Sequence, residues 1–305
     1  MRLLSLLLLL LPAIRAGQID EARLGYVYDP GAGALRPIRG VPGAALVDGA
    51  IDPGFTAVRA FAAPAGDVAL AVSAADGSVW RIDLRRAAAS PVAGAMAQPD
   101  AILFSPSGAA GLLYSAAGGR MQVVTGMGGQ ASAADVATGA AGVPLAIADD
   151  GAAVVAATAD GAAIYFPDNS SPAVLLPAPA VTASFRRGAH DALAATASGD
   201  IYLFETSTGQ WRQVYTGDVH TRNPAGVQFA PGGAAWAASA GGDISTIDLA
   251  GGGSQTVSCG CAPTAFEPLS GSVYRLTGAS DPLLWIWDAT QATPAVRFVP
   301  RGVDQ

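Results

Sequence analysis

Lysine is absent from this 305-residue chain, and all 17 basic residues are arginine. Histidine and cysteine occur twice each, and charged residues make up only 13% of the sequence. Each scarcity removes a class of function. His190 and His220 leave little room for acid–base catalysis. Two cysteines are half of what a structural zinc site requires, and neither an HExxH motif nor an acidic calcium loop adds ligands. An acidic chain of formal charge −7 without basic clusters lacks the patches that neutralise phosphates. Nucleic acid and anionic lipid surfaces are therefore not expected partners. There is no Walker loop, no GxGxxG between strand and helix, and no GxSxG elbow, so no cofactor is expected. Low charge does not mean disorder here, because 51% hydrophobic residues supply ample surface for a large core.

The longest apolar run opens the chain. Met1 to Ala16 reads MRLLSLLLLLLPAIRA, with Arg2 ahead of Leu3–Leu11, interrupted only by Ser5. Such a run is short of the roughly 20 residues that span a bilayer. Residues 1–16 are expected to be a cleaved signal peptide, and 17–305 one exported domain, periplasmic or secreted, without a membrane span. Loss of Arg2 and Arg15 takes the formal charge from −7 to −9. No cysteine lies near Ala16 to carry a lipid. Arginine as the sole basic residue, with abundant Ala and Gly, points by codon usage to a GC-rich bacterial genome.

Cys259 and Cys261 flank a single glycine. Export permits a disulfide, but residues i and i+2 on a strand lie near the limit of bridge geometry. A local bridge helped by a turn at Gly260, free thiols and a weak metal pair are all open, and a structural or incidental role is expected.

Self-similarity carries the most information. Copies begin at Gly66, Gly108, Gly151, Gly188, Gly232 and Gly271, spaced 42, 43, 37, 44 and 39 residues apart. Each opens on a turn such as Pro106-Ser107-Gly108 or Pro231-Gly232-Gly233. About ten residues later comes a second turn, such as Asp76-Gly77, Ser198-Gly199 or Gly241-Gly242, of a composition suited to tight type I′ hairpins. A strand follows, as in Val79-Trp80-Arg81-Ile82-Asp83 and Leu284-Trp285-Ile286-Trp287-Asp288. The Ala-rich stretches at 71–75, 152–159 and 234–240 favour helix by propensity. They are too short and too tightly bracketed by Gly and Pro to nucleate one, and they fit strands covered on both faces. The period matches four-stranded propeller blades. The expected fold is all-β: a β-propeller of four-stranded antiparallel blades, seven in number, with six as the alternative. Six repeats fill 56–300. Residues 17–55 form either closing strands or a partial blade, in which Leu24–Asp29 and Ala34–Ile38 read as a blade's last two strands.

Phe104-Ser105-Pro106-Ser107-Gly108 and Phe229-Ala230-Pro231-Gly232-Gly233 resemble the first-strand element of WD40-type repeats, and Trp287-Asp288 resembles the WD dipeptide. From about Ala57 to Pro300 the chain is similar to bacterial secreted WD40-like or YVTN-type propellers. The Gly-His dipeptide of eukaryotic members is missing, so the hydrogen-bonded tetrad around that histidine is not implied. The resemblance implies a fold and leaves activity open.

The longest polar connection between repeats, Thr216 to Gly226, holds Asp218, His220, Arg222 and Asn223, the candidate ligand-binding residues. The competing expectation is an ordinary solvated loop. Asp149-Asp150-Gly151 reads as turn chemistry before cation binding. Trp80, Trp285 and Trp287 read as packing before carbohydrate stacking. Asn169-Ser170-Ser171 matches a glycosylation sequon, incidental in a bacterial protein. No catalytic residue and no metal ligand is assigned. The expected function is a non-catalytic protein-binding or scaffold module of the bacterial cell envelope, monomeric, with its protein or small-molecule ligand unidentified. A lactonase-like hydrolase with its site at the channel mouth is the alternative.

Overall fold

Second strands decide how the repeats stack. In Val68–Ser73, Ala69 and Ala71 turn to one side while Leu70 and Val72 turn to the other, and all four are buried. Ala192 and Ala194 oppose Leu193 and Ala195 in the same way along Ala192–Thr196. Along Ala234–Ser239, Ala235 and Ala237 oppose Trp236 and Ala238. In each of these three, the side toward the preceding sheet is alanine, and the opposite side carries a larger residue. Small side chains let sheets approach closely, which is why alanine-rich segments are strands here despite their helix propensity.

The computed structural model describes residues 22–302 apart from 65, 137–141, 167–172, 279–280 and 282. The proposed signal segment and the Asn169 sequon lie outside the described residues. Seven antiparallel sheets form the blades of a ring, six with four strands and the N-terminal one with three. The inner strands, in blade order, are Arg23–Asp29, Ala57–Ala62, Ala101–Phe104, Val143–Ile147, Ala180–Phe185, Pro224–Ala230 and Glu267–Ser270. One 3₁₀ turn, Pro231–Gly233, is the sole helical element among the described residues. Among those residues no helix is long and apolar enough to cross a membrane.

Blade 1 differs from the sequence expectation in strand order. Arg23–Asp29 and Ala34–Val41 are its first two strands, and Ala44–Val47 is its third. Arg23–Asp29 lies between the inner strands of blades 7 and 2. The Gly25 backbone lies against Leu269, and the Tyr28 hydroxyl donates to the Ala57 carbonyl at 2.8 Å. These contacts to both neighbours, which no local pattern encodes, place the segment innermost. On its outer side, Val47 donates to the Pro300 carbonyl and accepts from the Gly302 N–H, in parallel register. Residues 300–302 thus join blade 7 to the open edge of blade 1, a protected solution to the free-edge problem.

The second turns of blades 2, 5 and 6 are wider than type I′. Gly77, Gly199 and Gly242 have φ of +72°, +94° and +96°, but the residue before each does not take positive φ. These turns end on a left-handed glycine, a longer-loop solution for a hairpin. Cys259 and Cys261 are joined by a disulfide.

Tryptophans occupy separate places. Trp287 is 1% exposed and packs edge-on against Trp236, with ring centroids 6.4 Å apart. Trp80 packs on Phe55 in blade 2, and Trp285 on Phe298 in blade 7. They share no common stacking surface.

Candidate functional site

Inner strands all run in one direction, so the ring has two distinct faces. One carries the connections between blades together with the turns between second and third strands. The other carries the first-to-second and third-to-fourth turns.

The Thr216–Asn223 connection lies on the first face, between Gln210–Tyr215 of blade 5 and the inner strand of blade 6. Half-buried Asp218 accepts from the Tyr215 hydroxyl at 2.7 Å and from the His220 N–H at 2.8 Å. Burial alone would raise its pKa, but the Tyr215 and His220 contacts outweigh it and hold the carboxyl below its ordinary range. His220 Nδ1 lies 2.8 Å from the carboxylate of Asp243, in the second turn of blade 6. The hydrogen bond to Asp243 raises the imidazole pKa above its usual value. Thr221 is buried against Gly199, where a Cβ would come within 2.5 Å of its hydroxyl. Asn223 takes φ +49° and works through its backbone, donating to Ala197 and accepting from Ala240. It thereby ties the second turns of blades 5 and 6 together. Arg222 is exposed and forms no ion pair among the described residues.

The structure therefore brings Asp218 and His220 together and adds Asp243, which the sequence did not single out. Arg222 and the Asn223 side chain stay outside that group. The polar atoms of Asp218 and His220 bind this loop and its neighbouring turn, and none of the four predicted residues lines the central channel. Among the described residues no three His, Cys, Asp or Glu side chains converge as a metal site would require.

The channel is a cavity of about 240 Å³ lined by the inner strands of blades 2 to 7. Phe61, Phe104, Phe185 and Phe266 line it together with the polar Thr182, Ser184, Gln228 and Glu267. Gln228 donates to the Phe266 carbonyl at 3.0 Å, and Glu267 pairs with Arg275.

Inner strands carry a second recurrent feature. In six of the seven, pairing with the second strand skips one residue near the start: Leu24, Val58, Leu145, Val181, Ala225 and Leu269. Such bulges re-aim side chains. Two of the six, Val58 and Val181, turn to solvent, 58% and 48% exposed.

The opposite face holds the other carboxylate group. Asp149 accepts from the Ser107 N–H and the Gly188 N–H, both at 2.7 Å. It therefore bridges the first turns of blades 3, 4 and 5. His190 Nε2 lies 2.9 Å from Asp150 across the same seam. Burial acts to raise the Asp149 pKa, but hydrogen bonds from Ser107, Gly188 and Ser105 outweigh it and lower it. A carboxyl held below its unfolded value near ~3.9 contributes its full stabilisation above that pH and loses it as pH falls through the folded value. Asp149→Ala is expected to cost about 1–3 kcal/mol at pH 7. The gap from wild type should shrink on acidification toward pH ~3. Urea unfolding at both pH values measures it, and a gap that stays constant would contradict the assignment.

No protein-family model and no curated protein matches the sequence. The fold does have relatives. The chain is similar to the crystal structure of a functionally unknown protein from Desulfotomaculum acetoxidans DSM 771, with TM-score 0.62 and 10% identity, over 92% of this chain and 100% of that one. In all, 1508 solved chains match, so the architecture is too widely shared to select an activity. Function has to be argued from surfaces and side chains.

Proposed function

We propose that this chain is a non-catalytic, WD40-like propeller that docks a protein partner on the face carrying its inter-blade connections, in the envelope of a bacterium. One observation carries the docking face. Of the ten exposed large hydrophobic side chains among the described residues, six lie at that end of the ring: Val41, Val58, Val143, Val181, Val219 and Leu283. The other four lie on strands along the outer wall, and none lies at the turns of the opposite face. The asymmetry between the two faces, rather than any single side chain, marks this one as the interaction surface. Two of the six, Val58 and Val181, sit where bulges aim residues outward. Val58 and Val181 come from blades 2 and 5, so a partner touching both would reach across the channel mouth.

The export signal read in Met1–Ala16 supports the envelope location. The repeated turn residues and Trp287-Asp288 support the WD40-like assignment. The internal pairing of Asp218, His220 and Glu267 favours binding over hydrolysis.

The test is chemical cross-linking of the mature protein in envelope extract, wild type against Val58→Asp/Val181→Asp. Both positions are solvent-facing, so the variant should keep its thermal midpoint. At least one partner recovered with wild type should fall about tenfold with the variant, as expected for losing two apolar contacts of interface quality. Equal recovery from both proteins would overturn the docking face. Measurable lactone hydrolysis by the purified wild type would overturn the non-catalytic assignment.

A further inference from the structure

We propose that, beside its docking role, the protein uses the Cys259–Cys261 disulfide as a stoichiometric thiol–disulfide exchange site, which oxidises one dithiol per bridge without turnover, and that Cys261 is the sulfur attacked.

Position argues against a brace. The bridge joins residues two apart. Stabilisation by cross-linking grows with the length of loop closed, and here that loop is minimal. The chain has only these two cysteines. A ring whose ends meet between blades 7 and 1 would gain most from a bridge at that seam. Instead both lie in the connection between blades 6 and 7.

That connection is held without the bridge. Cys259 donates its N–H to the Gly242 carbonyl at 2.7 Å. Thr264 and Ala265 donate to the Leu276 carbonyl at 2.9 and 3.2 Å. Gly242, at φ +96°, leaves no room for a side chain, since a Cβ there would lie 2.5 Å from the Cys261 carbonyl oxygen. The strand before it, Ser254–Ser258, is in register with Asp243–Asp248. Removing the S–S bond would leave all of these contacts in place.

Access and polarity suit exchange. Both cysteines are half-buried, and Gly260 between them is exposed. The Cys261 N–H donates to Cys259 Sγ at 3.0 Å. A donor already directed at one sulfur favours negative charge there and makes it the better leaving group.

The chemistry then follows. A substrate thiolate attacks Cys261 Sγ along the S–S axis. A substrate–Cys261 disulfide forms, the Cys259–Cys261 bond breaks, and its electron pair leaves on Cys259 Sγ beside the Cys261 N–H. Cys259 takes a proton from water. The second substrate thiolate attacks the substrate sulfur of the mixed disulfide, closing the substrate's own disulfide and releasing Cys261 as thiolate, which is protonated in turn. Two electrons and two protons pass from the substrate dithiol to the protein. The bridge is partly accessible, and the substrate fitting this chemistry is a pair of cysteines in an extended, accessible segment that can reach it.

The experiment uses the full mature chain and glutathione as probe. Oxidised protein is incubated in glutathione redox buffers and quenched in acid, and adducts are mapped by mass spectrometry. We expect reduction in the folded state, an unchanged thermal midpoint after reduction, and about tenfold more glutathione on Cys261 than on Cys259, the ratio one well-placed donor supplies. Cys259→Ser should keep the wild-type midpoint and trap a stable glutathione adduct on Cys261. A bridge that resists glutathione until the protein unfolds would overturn exchange. So would a midpoint that drops on reduction and again in Cys259→Ser, since that is the mark of a brace. Equal adducts on both sulfurs would overturn the assignment of Cys261 as the sulfur attacked.

Discussion

Deleting residues 24–38 should abolish soluble folding of the remaining chain. These residues supply the inner strand of blade 1 and most of its second strand. Leu24 and Ile38 pack with Leu269, Ile286 and Val299 of blade 7, and Tyr26 and Leu35 pack with Ala57, Ala69 and Ile82 of blade 2. Burying each such side chain contributes about 1.5–3 kcal/mol, so four of them rival the ~5–15 kcal/mol net stability of a domain. The deletion also strips both neighbouring blades of their cover and leaves Val47 without the second strand it pairs with. The expected outcome is aggregation or loss of a cooperative thermal transition, read by size exclusion and calorimetry. A truncated protein that stays monomeric with the wild-type midpoint would show that the ring closes without this blade.

That prediction rests on a segment the sequence describes only in part. The six complete blades are legible because each repeats the same punctuation: a glycine turn, a buried strand, a second glycine turn and a β-branched or aromatic strand. Blade 1 lacks that full pattern. Its strands are recognisable as strands, but their order is set by Leu269 and Ala57, residues of the two neighbouring blades. Local pattern carries no such information.

The same limit explains the polar sites. Asp149 reads as a turn residue, and it is one. Its two backbone donors, though, stand 42 and 39 residues away on other turns. His220 finds Asp243, 23 residues on. Spacing along the chain cannot reveal either pairing, because it arises only once blades are stacked. The bulges that turn Val58 and Val181 outward are equally invisible, since a one-residue slip leaves hydrophobic alternation almost unchanged over so short a strand. What could have been noticed is their recurrence: an apolar residue at the start of one inner strand after another.

Trp287 gives the sharpest test of how the blades hold together. It follows Ile286 and precedes Asp288, whose carboxylate accepts from the Thr290 N–H and hydroxyl and so shapes the turn to the last strand. Asp83 and Asp248 cap the same turn in blades 2 and 6. The aspartate of the dipeptide is thus a turn former, and the tryptophan is a space filler between blades 6 and 7. Its Nε1–H is buried and has no hydrogen-bond partner among the described residues. Trp287→Ala should cost about 3–5 kcal/mol, the range for emptying an aromatic site in a core. Trp287→Phe loses ring area but also removes a buried donor whose burial costs about 1–3 kcal/mol, so its net cost should be only about 1–2 kcal/mol. If the indole N–H instead made a structural hydrogen bond, phenylalanine would be nearly as damaging as alanine. Unfolding free energies in urea at neutral pH separate the two cases. The wider the gap between alanine and phenylalanine, the more firmly this position belongs to packing, with the polar half of the dipeptide left to shape the turn.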